Sequence, residues 1–114
     1  MANYSVVESL LKEVEIPRDG TLSRTIYRDN FVKVVLFGFS GGQELSQHTA
    51  AVPAILEIVQ GDARVTLEGD EKELSAGSWV YMAAKLPHAV YARTDVVMLL
   101  TMLTGAPATE HGAR

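Results

Sequence analysis

The sequence predicts an all-β domain whose strands close into a barrel or double-sheet jelly roll, preceded by a short N-terminal helix. Three observations carry this. From residue 21 onward, short apolar runs alternate with turn residues at roughly eight- to twelve-residue spacing. Gly, Asp, Asn and Pro punctuate those runs at Asp29-Asn30, Gly41-Gly42, Gly61-Asp62, Gly69-Asp70, Gly77 and Pro87. A chain of 114 residues fits one domain with a real core and leaves no room for two. Many short antiparallel strands favour closure, because open sheet edges invite aggregation.

The N-terminal stretch is the exception to the β pattern. Ser5 and Glu8 have capping-box spacing, and Val7, Leu10, Leu11 and Val14 fall on one helical face. A helix is therefore expected within residues 5–14, ended by Pro17 and Asp19-Gly20. Residues 1–20 form this helix and a lead-in, 21–104 the barrel, and 105–114 a flexible tail. Within the barrel, strands are expected at 22–27, 31–39, 54–60, 63–67, 72–74, 78–82, 88–92 and 96–103. The Gly61-Asp62 pair is a tight hairpin signal between the runs at 54–60 and 63–67.

Composition narrows the function classes. The net charge is −4 and the ten basic residues are scattered, so no nucleic-acid surface is expected. There is no cysteine, which removes disulfides and thiolate metal ligands from consideration. Apolar runs such as Val96 to Leu100 are far too short for a membrane span, and no membrane partner is expected. Met1 to Ser5 carries no basic n-region, so the expected compartment is cytoplasmic.

His48 and His88 are the informative residues. Each is placed at the start of a strand, just after a turn, where two imidazoles on adjacent strands can share one cavity. Imidazole can bind a metal through a neutral nitrogen, or exchange a proton near neutral pH. A histidine taken alone in a strand is more often a hydrogen-bonded, partly buried residue. The surrounding pattern changes that reading.

The pattern resembles the cupin family, in particular its small single-domain members. The first cupin motif is G-x5-H-x-H-x3,4-E-x6-G; Gly42 starts it here, His48 is its first histidine and Gly61 its closing glycine. The second is G-x5-P-x-G-x2-H-x3-N; Gly77 starts it and His88, preceded by Pro87, is its histidine. The resemblance spans residues 31–103 and implies a cupin-like β-barrel, a double-stranded jelly roll. The departures are specific. Ala50 stands for the second histidine and Ala54 for the glutamate, while Ala83, Lys85 and Ala92 replace the proline, glycine and asparagine. Two of the four implied metal ligands remain, and alanine has no donor atom.

Strand alternation then sets the faces. Ala54, Leu56 and Ile58 share an apolar inner row, as do His88, Val90 and Ala92, whereas Glu57, Tyr91 and Arg93 point outward. Catalytic zinc or iron sites use three protein ligands. A third ligand would have to come from Gln43, Glu44 or Gln47 near His48, or from His111 in the tail, and none has supporting spacing. At most a weakly bound divalent metal is expected.

The expected function is small-molecule binding in an apolar barrel cavity, with His48 and His88 as the polar contacts and a degenerate metal site. The alternative is a metal-dependent cupin enzyme of oxygenase or isomerase type, with the same histidines as ligands of a Lewis-acidic or oxygen-binding metal. A weaker reading is a sensory or stability module without chemistry. If the histidines bind a neutral or anionic ligand as donors, affinity should weaken as pH rises through their pKa. Met82, Met98 and Met102 are expected in the core, and Trp79 and Tyr81 to pack, with an outward tryptophan indicating a dimer contact. A homodimer is expected, through sheet-to-sheet contact or strand exchange near the N-terminus.

Overall fold

The structure is a computed structural model that describes residues 3–107. Its strands are β1 (Thr21–Arg28), β2 (Lys33–Phe39), β3 (Glu44–His48), β4 (Ala54–Gln60), β5 (Asp62–Leu67), β6 (Asp70–Ser75), β7 (Trp79–Met82), β8 (His88–Ala92) and β9 (Val96–Met102). They form a five-stranded sheet in the order β1-β2-β9-β4-β7 and a four-stranded sheet in the order β3-β8-β5-β6, with every pairing antiparallel. This is the expected all-β, double-sheet jelly roll.

The inward rows of the two sheets make one apolar core. Leu56 and Ile58 of β4, Val65 of β5, Val90 and Ala92 of β8, Val96 and Met98 of β9, Phe39 of β2 and Met82 of β7 are all buried in it. Alternation behaves as the sequence implies on both motif strands: β4 reads buried at Ala54, Leu56 and Ile58, and β8 at His88, Val90 and Ala92. Phe37 stacks on Phe39, with ring centroids 5.9 Å apart.

The N-terminal helix is corrected. Only Leu10–Lys12 forms a single 3-10 turn, and its N-cap Ser9 makes no side-chain cap bond. A ten-residue helix is marginal in water without tertiary packing. Here the following residues pack instead as an extended strap: Val14 and Ile16 lie against Gly38, where an added Cβ would come within 3.2 Å of Val14 and 3.4 Å of Ile16. Gly38 faces outward beside Val97, its cross-strand partner, and Val97 is buried although it points away from the barrel core. Packing on the sheet thus overrides the helical pattern.

Two strand boundaries also differ. Phe31 and Val32 precede β2 rather than opening it, because the Asp29 carboxylate accepts their backbone N–H groups at 2.7 and 3.0 Å and holds a turn. Phe31 is left 71% exposed. The second difference is β3, which lies just before the position where a strand start was expected. His48 is its last residue, not its first.

Candidate functional site

β3 ends at His48 and β4 begins at Ala54, while β7 ends at Met82 and β8 begins at His88. Loops 49–53 and 83–87 therefore cross between the sheets at the same end of the barrel. The Lys85 N–H donates to the Ala50 carbonyl at 2.7 Å and ties the loops together. His48, Ala54, Met82 and His88 consequently ring one barrel mouth.

Across the small sheet, His88 is flanked by His48 on β3 and Leu67 on β5. Across the large sheet, Ala54 is flanked by Met82 on β7 and Met102 on β9. Directly opposed residues of an antiparallel pair project from the same face. His48 therefore shares the inner face with His88, and the two rings lie 4.3 Å apart between centroids, tilted by 59°.

A bulge makes this pairing possible. Leu45 pairs with Val90 and His48 with His88, so three steps along β3 match two along β8. Simple alternation from the inward Leu45 would turn His48 outward. The extra residue between them restores the inward direction, which is what a β-bulge does to the side chain beyond it. Period-two reading of the sequence misses this device, because Ser46 and Gln47 carry no turn signature.

The ring nitrogens are fixed by the backbone. Nδ1 of His48 lies 2.9 Å from the Ser46 carbonyl oxygen, and Nδ1 of His88 lies 2.8 Å from that of Leu86. A carbonyl oxygen only accepts, so each Nδ1 carries the proton and each neutral ring keeps its Nε2 lone pair free. The two rings differ in setting. His88 is only 5% exposed, whereas His48 is exposed at the rim. Burial holds the His88 imidazole below its ordinary value of 6.5, and the neighbouring His48 acts in the same direction; the Leu86 carbonyl opposes both.

The remaining candidates fall elsewhere. Glu44 pairs with the outward-facing Tyr91 and, with Gln47, lines a pocket of about 170 Å³ on the outer face of the small sheet. Gln43 sits in the turn before β3, where its carbonyl accepts from Ala92 N–H at 2.9 Å. His111 lies outside the described residues. Buried apolar side chains lie inside the barrel below the pair, and the pair meets solvent through His48 at its mouth.

The fold family implies a resident divalent metal, and these residues do not fit one. The pair supplies two imidazoles, and among the described residues no group of three His, Cys, Asp or Glu side chains comes together. The glutamate position is filled by a buried Ala54, between two methionines rather than beside a carboxylate. Among the described residues a catalytic site of the usual three-ligand kind is not assembled.

Outside the site, one motif position keeps its conformation without its residue. Lys85 stands where the second motif has glycine, and its φ is +69°. The loop thus retains a left-handed turn three residues before His88. Gly61 closes the first motif at φ +90°, and a Cβ there would fall on the Asp95 carbonyl oxygen.

No family model matches the sequence, and no curated protein matches it. Solved structures do. A conserved protein of unknown function from Streptococcus pyogenes is 29% identical, with a TM-score of 0.81 and 93% of each chain covered. A cupin superfamily protein from Desulfitobacterium hafniense is 23% identical, with a TM-score of 0.78 over 82% of this chain and 86% of that one. An RmlC-like cupin from Desulfovibrio desulfuricans is 21% identical, with a TM-score of 0.75 over 91% of this chain and 97% of that one. With both sheets, the strand order and these likenesses in agreement, the chain is a small barrel of the cupin fold.

Proposed function

We propose that this barrel binds a small molecule at its mouth through the Nε2 atoms of His48 and His88, without a resident catalytic metal. One observation carries the reading: both Nδ1 protons are committed to carbonyls of the chain itself, which leaves two oriented lone pairs 4.3 Å apart at the ring centres. A hydrogen bond held on the second nitrogen fixes the tautomer and the ring orientation, which leaves Nε2 as a preset acceptor. Leu67 beside His88 and Met102 beside Ala54, both half-buried, supply apolar surface near it, and methionine adapts to varied ligand shapes.

The metal-dependent enzyme reading uses the same two nitrogens. Among the described residues it lacks the third ligand and the carboxylate that would offset a dication, and an uncompensated charge next to a packed apolar core is costly. Fragment titration followed by the imidazole Cε1–H resonances tests the proposal. Fragments should move both histidine signals together, and His48→Ala should weaken the binding that the His88 signal reports. Fragments that bind only on the outer face of the small sheet would remove the reading.

A further inference from the structure

We infer that the ligand of the His48–His88 pair is a neutral molecule that donates hydrogen bonds, with two adjacent O–H or N–H groups as the best match. This rests on the proposed ligand site and names the chemistry it selects. A neutral imidazole has one donor and one acceptor nitrogen. In both rings the donor is already used, on Ser46 and Leu86. The pair therefore offers two acceptors and no donor. A carboxylate or phosphate oxygen placed there meets two lone pairs and gains no hydrogen bond unless a ring takes up a proton. For His88 burial opposes that proton.

Geometry adds the second donor. The rings project from directly opposed positions of adjacent strands and lie close together. A ligand with donors on neighbouring atoms engages both, whereas one with a single donor leaves one lone pair unmet. Half-buried Leu67 and Met102 border the mouth with apolar side chains, which suits a flat ring behind the donors.

Four probes of similar size separate the possibilities: catechol with two donors, guaiacol with one, veratrole with none, and benzoate as an anion. They are titrated into the full chain with a chelator present, at pH 7.5, with the histidine resonances as readout. Each lost donor should weaken binding roughly three- to tenfold, and benzoate should bind no better than veratrole. His48→Ala, at an exposed position, should bring catechol down to the affinity of guaiacol. Benzoate or veratrole binding at the histidines as tightly as catechol would overturn the ligand class while leaving the site. A complete lack of histidine response to all four would overturn both.

Discussion

His48 and His88 are direct cross-strand partners at the end of β3 and the start of β8, and they do not share a common environment. One ring is at the rim and the other is almost fully buried, although their centroids are 4.3 Å apart. A ligand of the proposed site would meet the exposed His48 before the buried His88. The asymmetry gives the buried ring a measurable effect on stability.

Burial lowers the folded-state pKa of His88 below 6.5. Between that lowered value and the unfolded value near 6.5, the unfolded chain binds more protons than the folded one. The contribution of His88 is therefore full above about pH 6.5 and is lost as pH falls through this window. Urea unfolding followed between pH 8 and pH 5 should show stability declining below about pH 6.5. His88→Leu, close in volume, should flatten that decline. An unchanged slope in the variant would assign the effect to other groups.

The same burial reverses the pH dependence expected for a ligand held by charged histidines. A donor ligand needs the free Nε2 lone pair, which protonation removes. Catechol affinity should be level above neutrality and fall on acidification through the His88 transition. Isothermal titration at several pH values checks this, and tighter binding in acid would restore the anionic-ligand reading.

Much of the barrel was legible because its signals are local. Alternation gave the inner rows of β4 and β8, and turn residues marked most strand ends. The motif spacing of His48 and His88 pointed to one shared site, and the register places them together. What was hidden depends on tertiary pairing. The bulge before His48 has no sequence mark, and β3 is mostly polar and exposed, so it reads as a loop. Residues 5–14 show a helical period, but Val14 and Ile16 gain more by packing on the sheet over Gly38.

Lys85 holds a left-handed conformation at a position where the motif has glycine. A side chain there costs about 1–2 kcal/mol relative to the right-handed region. Glycine removes that cost and adds back about 0.5–1 kcal/mol of unfolded-state entropy. Lys85→Gly should therefore stabilise the protein by about 0.5–1 kcal/mol, seen as a higher urea midpoint with an unchanged slope. The bond from its N–H to the Ala50 carbonyl should persist, so the histidine spectra should not change.

Gly61 makes the opposite case. Its φ of +90° disfavours any side chain, and the Asp95 carbonyl occupies the Cβ position. The neighbour is backbone, so relief requires moving the β8–β9 turn away from the β4–β5 hairpin. Strain and overpacking together should cost about 3 kcal/mol in Gly61→Ala. Thermal unfolding measures this, and a loss below about 1 kcal/mol would mean that the turn yields easily.

The missing metal ligands can be returned to test what their loss has done. Wild-type protein purified without added metal should carry well under one equivalent of divalent metal by elemental analysis, because two imidazoles chelate weakly. Ala54→Glu alone places a carboxyl at a buried position between Met82 and Met102, where ionisation is costly, so the variant should be destabilised by about 1–3 kcal/mol. Combined with Ala50→His, it offers three imidazoles and one carboxylate around the same mouth. Zinc or nickel should then bind stoichiometrically and restore the lost stability, since metal binding to the folded state alone shifts the unfolding equilibrium. Binding should weaken on acidification, as ligands must lose protons to coordinate. Stoichiometric metal already present in the wild type and lost on His48→Ala would instead show that two histidines suffice and would reinstate the metal-dependent enzyme.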